Sequence, residues 1–593
     1  MKQQLEALKN HLTEKGLFAL IIPNTDPHQS EYIADYWQVM RFLTGFSGST
    51  GNIVISSDFA GVWTDSRYFL QAESQLADSG YELVKLKIPH TPEYIGWIAE
   101  KAPENSKVGI DARLFSVALY RKMEESFAEK GIKILDVGDL ISPLWPDRPE
   151  IPLAPIFIHE QSFAGKSRSS KLRELRKEMK EKGADYTFIS SLDDIAWLYN
   201  IRGNDVDYNP TPLCFSLISL NDATLYINPS KVSDEIAEIL AQDMKLRPYE
   251  EIAAGLKKIE AGKSLFLDPG RSNKSALSNI SGEVNILEGM NLTTLPKALK
   301  NEIEIGHIRE VMIKDGVAMC KFLIWLENHI GKEKITEVSA ADKLEAFRAE
   351  QENFKGPSFG TIAGYKGNGA IVHYSAEESS CAELHADGIF LLDSGGQYLD
   401  GTTDITRTVA LSVPTEEERR DFSLVLKGHI GIATAVFPSG TRGQQIEASA
   451  RRALWKYGLN YGHGTGHGVG FFLNVHEGPQ TMGSGASGAQ ATPMMPGMLT
   501  SNEPGIYHNG KYGIRIENLI LCVEDQETEF GQFLKFETVT LCPIDLSLVD
   551  ANLLNQEEKD WLNSYHAEVY EKLAPHMNES EKAWLKEQTQ ALS

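Results

Sequence analysis

The sequence predicts a chain of mixed α/β and α+β class, with two N-terminal α/β domains followed by a larger domain of glycine-punctuated strands. Three observations predict this. A chain of 593 residues is too long to bury itself around one core. The proline-rich stretch PLWPDRPEIP at 143–152 breaks the chain as a linker does. The last half then changes character. Short apolar or Thr-rich runs end in acidic residues beside Gly-Gly, Asn-Gly and Gly-His-Gly sequences, the pattern of strands joined by tight turns. The resulting boundaries are 1–150, 151–298 and 299–593.

In the first domain, an amphipathic helix opens the chain at 1–9, and 17–23, 52–56 and 62–64 read as strands. In the second, 171–182 is a charged helix, and 186–190, 215–219 and 224–227 are strands. Each unit has an aromatic-rich approach to glycine (42–48 and 197–203) before its strand pair, so the two repeat weakly. In the third, Ile305, Ile308, Met312, Met319, Leu323 and Leu326 recur at helical spacing, which marks a core stripe. The tail, 557–592, carries Trp561, Leu562, Tyr565, Val569, Tyr570, Leu573 and Trp584 in helical settings. That apolar face suits docking on the body or a subunit contact.

The chemistry concentrates in five residues of the third domain: Asp393, Asp404, His467, Glu503 and Glu517. Four carboxylates and one imidazole make a mostly hard-oxygen donor set. It suits a pair of Mn²⁺-like divalent ions better than a structural zinc. Residues 502–517 read as a hairpin about Asn509-Gly510, because a type I′ turn favours that pair. Folding there places Glu503 opposite Ile516, and a bulge near Pro504 would bring Glu503 to Glu517. In 390–408 an apolar strand ends in Asp393, Gly395-Gly396 turns the chain, and a Thr-rich strand returns Asp404. For Asp393 alone, simple turn chemistry is the competing reading.

The segment GHGTGHGVG at 462–470 alternates with period two and reads as extended. Residues four apart on a strand are roughly 13 Å apart, so His463 and His467 do not share one ion. One is a ligand, and the other lies farther along a cleft with the substrate. His476 in NVHEGP and His373 in IVHY are further candidates.

These motifs resemble those of the pita-bread metallopeptidases, and specifically the long, three-domain aminopeptidase P (Xaa-Pro aminopeptidase) family. The match comprises LLDSGGQYLDGTTDITRT at 391–408, HGTGHGVG at 463–470, NVHEGP at 474–479, NEPG at 502–505 and GIRIEN at 513–518. RFLTGFSGS at 41–49, WTDSRYF at 63–69 and NIRGNDVDYNP at 200–210 resemble its N-terminal domains. The resemblance implies two creatinase-type α/β domains and a C-terminal pita-bread catalytic domain. It implies that Asp393 chelates one metal, that Asp404 and Glu517 bridge both, and that His467 and Glu503 complete the other. His373, His463 and His476 match the family's substrate-side histidines. Arg515, two residues from Glu517 and so on the same strand face, orients carboxylates. All five ligand positions are filled, unlike those of metal-free creatinase-type relatives.

The expected activity is release of the N-terminal residue from peptides with proline second, by attack of a hydroxide bridging two metals. Glu503 serves as the proton shuttle. The proline preference and a homodimer come from the resemblance alone, and manganese from ligand hardness with it. A prolidase-like Xaa-Pro dipeptidase and a non-catalytic peptide-binding scaffold of the same fold are the alternatives. The formal charge of −24, from 58 basic and 82 acidic residues, argues against nucleic-acid binding. Cys214, Cys320, Cys381, Cys522 and Cys542 form no CxxC pair, which fits reduced thiols in a cytoplasmic setting. The N-terminus lacks a long apolar core, so no signal peptide is expected. No run of 18 apolar residues predicts a membrane span. The small-residue stretch 483–489 reads as a loop following His476.

Overall fold

The computed structural model describes residues 1–88, 91–483 and 492–593. Most of the predicted loop at 483–489 thus lies outside the described residues. The chain forms two compact units, one of residues 1–161 and 166–295, the other of 162–165 and 296–593.

The first unit holds two six-stranded sheets. One contains β1 (Ala19–Pro23), β2 (Asn52–Ser56), β3 (Ala60–Thr64), β4 (Glu82–Lys85), β5 (Lys107–Ile110) and β6 (Lys133–Asp136) in the order β4-β3-β2-β1-β5-β6. The other contains β7 (Tyr186–Ile189), β8 (Cys214–Ser219), β9 (Ala223–Ile227), β10 (Lys245–Arg247), β11 (Ser264–Leu267) and β12 (Asn285–Glu288) in the order β10-β9-β8-β7-β11-β12. The two orders correspond strand for strand, and so do the directions: antiparallel at β1–β2 and β7–β8, parallel at β1–β5 and β7–β11. The weak repeat is therefore a duplicated topology. Its aromatic-glycine signal has a backbone cause. The helices Val39–Thr44 and Leu192–Tyr199 both end on a left-handed residue, Gly45 (φ 77°) and Asn200 (φ 50°), the stop that glycine and asparagine adopt at least cost.

The second unit opens with α1 (Glu302–His329), capped by a reciprocal Asn301/Glu304 box. Ile305, Ile308, Met312, Met319 and Leu326 of its apolar stripe are all buried. After it come α2 (Glu337–Ala349), α3 (Glu416–Ala433), α4 (Gly443–Trp455), α5 (Gln556–Leu573) and α6 (Glu579–Gln588). Most of its strands are short, with Asn518–Thr528 and Gly531–Thr538 longer. β13 (Ile362–Tyr365), β14 (Ile389–Ser394) and β15 (Ile405–Ala410) form one sheet. β16 (Leu499–Asn502) pairs with β19 (Asn518–Thr528), β19 with β20 (Gly531–Thr538), and β17 (Gly505–His508) with β18 (Tyr512–Arg515).

Two local expectations change. Gly395-Gly396 does not turn the chain. Instead, Gly396–Tyr398 and Gly401–Thr402 make a small hairpin that leaves the sheet, and β14 pairs with β15 across its base, Asp393 opposite Thr406. Gly395 is required by close packing: a Cβ there would lie 2.0 Å from the Thr403 carbonyl oxygen. In the second hairpin His508 pairs with Tyr512, so three residues bridge the strands where two were expected. The register slips by one. Glu503 then aligns with Glu517 directly, continuous with Asn502↔Asn518 and Gly505↔Arg515, and no bulge is needed.

The tail docks on the body. Leu562, Tyr565, Val569, Leu573 and Leu585 join a core with Phe422, Val425, Ile514 and Ile516. Arg407 on β15 ties the two together. It is 2 % exposed and donates to the carbonyls of Thr406, Glu517, Cys542 and Pro543, to Asn518 Oδ1 and to the Tyr565 hydroxyl. Beside it, His566 is buried and its Nε2 accepts the Ile544 amide (3.0 Å). Burial, then the charge of Arg407, lowers its pKa to about 4. The neutral folded form contributes stability that is complete above the ordinary histidine pKa near 6.5 and is lost as pH falls towards 4. Urea unfolding should weaken over that window by up to about 3 kcal/mol from this group. His566→Gln should flatten the slope whatever its effect on absolute stability.

Candidate metal centre

The carboxylates sit where the sheets stop pairing. Asp393 is on β14, Asp404 immediately precedes β15, and Glu503 and Glu517 occupy the gaps between β16 and β17 and between β18 and β19. Their main-chain groups are taken up by other segments. The Glu503 amide donates to the Thr465 carbonyl (2.8 Å) and the Glu517 amide to the Thr406 carbonyl (3.1 Å). These bonds stitch the 393–406 and 463–467 segments to the 503–517 hairpin. His467 lies on the two-residue strand Gly466–His467, paired with Thr481–Met482. Its amide donates to Ser501 Oγ (2.9 Å).

Donor atoms of Asp404, His467 and Glu517 all fall within 4.8 Å of one another. His467 Nε2 is 3.5 Å from Asp404 Oδ2 and 3.4 Å from Glu503 Oε1. Its Nδ1 faces the Gly468 carbonyl (3.0 Å), which holds the ring and leaves Nε2 towards the acids. Arg515 lies 2 % exposed among these groups. It donates to Asp393 Oδ2 (2.5 Å), the Tyr507 hydroxyl (2.7 Å) and Thr406 Oγ1 (3.2 Å), and Thr406 Oγ1 donates to Glu517 Oε2 (2.6 Å). One guanidinium thus orients two carboxylates, one directly and one through a hydroxyl.

The electrostatics are those of an acid cluster short of positive charge. Burial raises the carboxyl pKa of Asp393, Glu503 and Glu517 above their ordinary values, Glu517 furthest, and the neighbouring carboxylates, Asp404 in each case, add to it. Arg515 beside Asp393 and His467 beside Glu503 oppose that rise. Burial disfavours the imidazolium of His467, but Asp404 and Glu503 outweigh it and raise its pKa to about 9. Asp393 Oδ1 is buried without a hydrogen-bond partner. An oxygen-rich pocket that gathers acids whose burial raises their pKa values and leaves a carboxylate oxygen unbonded fits divalent cations.

The substrate-side candidates have these contacts. His463 Nε2 meets the Tyr507 hydroxyl (2.8 Å) and its Nδ1 the Gly464 carbonyl (2.7 Å). The His476 ring stands edge-on to His467, centroids 4.3 Å apart. Its loop is braced by the next residue, Glu477, which pairs with Lys300 (2.9 Å) and Lys297 (3.3 Å), all three buried. His373 is half-buried on the connection that follows β13. Sequence reasoning missed Thr406 and Tyr507. Period two from Asp404 and from Glu503 would have put both on the ligand face.

Donor set and fold together define a metallohydrolase. Four family models match in order: the creatinase/prolidase N-terminal domain at 4–144 and a second creatinase/prolidase N-terminal domain at 147–304; metallopeptidase family M24 at 306–524; and the C-terminal region of M24 peptidases at 532–592. A probable Xaa-Pro aminopeptidase P of Talaromyces marneffei is 41 % identical over all of this chain and 92 % of its own length. One from Aspergillus niger is 40 % identical over all of this chain and 99 % of its own. The crystal structure of an X-prolyl aminopeptidase from Caenorhabditis elegans, titled a cytosolic enzyme with a di-nuclear active site, superposes with a TM-score of 0.93 at 35 % identity. It covers 97 % of this chain and 95 % of that one. The chain belongs to metallopeptidase family M24.

Replacing Asp404 by Asn or Glu517 by Gln should lower bound metal from about two ions per chain to below one, read by elemental analysis. His463→Ala should leave metal content at the wild-type level while lowering turnover. Metal loss in that variant would contradict the separation of His463 from the cluster.

Proposed function

We propose that the protein is a metallo-aminopeptidase that releases the N-terminal residue from peptides with proline at the second position. The observation that carries this is the convergence of Asp404, His467 and Glu517 donors within 4.8 Å, in a chain alike over its whole length to proteins named for that activity. Two divalent cations, when bound, activate a water and polarise the scissile carbonyl. Asp393, Asp404, His467, Glu503 and Glu517 would hold them.

The chain's own groups do the rest. Glu503, next to His467 and accepting from Ser501 Oγ (3.1 Å), takes a proton from the attacking water and returns it to the departing proline nitrogen. His476 or His373 stabilises charge on the carbonyl oxygen, and His463 contacts the residue after the scissile bond. Arg515 opposes the burial-driven rise in the Asp393 pKa and orients its carboxylate. Proline has no N–H to donate, so the site needs no acceptor for it.

The same reading takes the metal as manganese, from the hardness of the donors. It divides the chain into domains at 1–150, 151–298 and 299–593, each of the first two enclosing one six-stranded sheet. Cytoplasmic placement is supported by five cysteines without disulfides and by the cytosolic relative; no helix among the described residues is long and apolar enough to cross a membrane. A homodimer is part of the same reading and rests on the resemblance to the family.

Chelation should abolish cleavage of an Xaa-Pro-Xaa tripeptide, and Mn²⁺ should restore it. A substrate-length series decides between the two enzymes. Cleavage of tripeptides and longer peptides is expected; cleavage of Xaa-Pro dipeptides alone would make the protein a dipeptidase. Binding without turnover at saturating Mn²⁺ would make it a scaffold.

A further inference from the structure

Residues 366–382 connect β13 to the strand Glu383–Leu384 and contain one short 3₁₀ turn, Lys366–Ala370. A connection so long with so little regular structure needs fastening from outside if it is to hold a functional group in place. His373 sits in its middle.

The fastening converges on one side chain. Glu337, in the first turn of α2, is fully buried. Its Oε1 accepts the Tyr365 amide N–H (2.8 Å) and the Asn368 side-chain amide (2.9 Å). Its Oε2 accepts the Tyr374 hydroxyl (2.7 Å), the Ala382 amide N–H (2.7 Å) and again Asn368 (3.1 Å). In return the Glu337 amide donates to the Ala382 carbonyl (3.1 Å). The donors therefore come from the residue before the connection, from two residues inside it and from its last residue. One of them, Tyr374, is the neighbour of His373. These donors are neutral, so they compensate the buried charge only if all are present together.

The connection is also registered against the metal centre. β13 pairs with β14, Ile362 opposite Asp393. Its 3₁₀ turn rests on the 505–515 hairpin so closely that a Cβ on Gly513 would lie 1.7 Å from the Gly369 carbonyl oxygen.

We propose that Glu337 is a positioning residue for His373: it fixes the 366–382 connection so that the imidazole is held on the substrate side of the metal centre. This rests on the assignment of His373 made under the proposed function. Glu337 touches neither metal nor substrate. Its effect runs through the backbone of 365–382.

The test measures metal content, kcat and KM on an Xaa-Pro-Xaa tripeptide for Glu337→Gln, Tyr374→Phe, His373→Ala and the Glu337→Gln/His373→Ala double variant of the full chain. Both single variants that disturb the fastening should keep wild-type metal content. Glu337→Gln should lower kcat roughly tenfold, the low end for residues that support functional groups from behind. KM should change by less than about twofold. Tyr374→Phe, which removes one donor and no charge, should lower kcat less, and it carries the test if Glu337→Gln does not fold. In the His373→Ala background, Glu337→Gln should cost nothing further. Multiplying losses, metal loss in Glu337→Gln, or unchanged kcat in both single variants would overturn the proposal. Full kcat in His373→Ala beside a loss in Glu337→Gln would overturn it together with the role of His373. The peptidase reading is reported separately, by wild-type turnover in the same assay.

Discussion

The constraint on which the second unit depends is electrostatic. Asp393, Asp404 and Glu517, all buried, and the partly buried Glu503 share one site with the fixed cation Arg515 and an imidazole pushed towards its charged form. One guanidinium does not balance four carboxylates in a low dielectric. Burial raises the carboxyl pKa values of Asp393, Glu503 and Glu517, and against burial the acids raise that of His467, so positive charge placed among them is favoured. Divalent cations would supply that charge.

Placement of that kind needs a frame that the acids do not themselves stabilise. The frame is made by hydrogen bonds at the ends of strands. Glu503 and Glu517 lie where one ladder has stopped and the next has not begun, so their amides are free to bond the 465 and 406 carbonyls. The interruption serves the function: a continuous sheet would spend those amides on each other. Arg407 extends the frame outward. Its bonds to the Glu517 carbonyl and to the Tyr565 hydroxyl make the helical tail part of the support for a metal-centre residue. A buried guanidinium satisfied mainly by carbonyls tolerates little loss, since each abandoned donor or acceptor costs about 1–3 kcal/mol.

Much of this was legible in the sequence, for identifiable reasons. The acids and His467 sit beside glycines and in Thr-rich or alternating runs, signals with a direct backbone meaning. The Met/Leu stripe of α1 and the repeat of the two α/β domains were legible for the same reason. What failed was register. Asn509-Gly510 was read as a two-residue turn, yet the strands close over three residues, and only pairing along the whole hairpin decides between them. Gly395-Gly396 was read as a turn because turn and close approach leave the same residue in a sequence. Thr406 and Tyr507 were within reach of the period-two rule. Arg407 and Glu337 were not, because their partners lie far away in the chain.

That last distinction bears on how the substrate side is built. The metal side is carried by strands and needs few helpers, because ladder pairing fixes Asp393 against Thr406 and aligns Glu503 with Glu517. His373 and His476 lie on irregular connections, which no ladder holds. Each has a buried carboxylate beside it that gathers bonds from a distance: Glu337 for the 365–382 stretch, and Glu477, paired to Lys297 and Lys300, for the His476 loop. The two use opposite chemistry. Glu337 is held by neutral donors and Glu477 by ammonium groups, so the first depends on geometry and the second on charge.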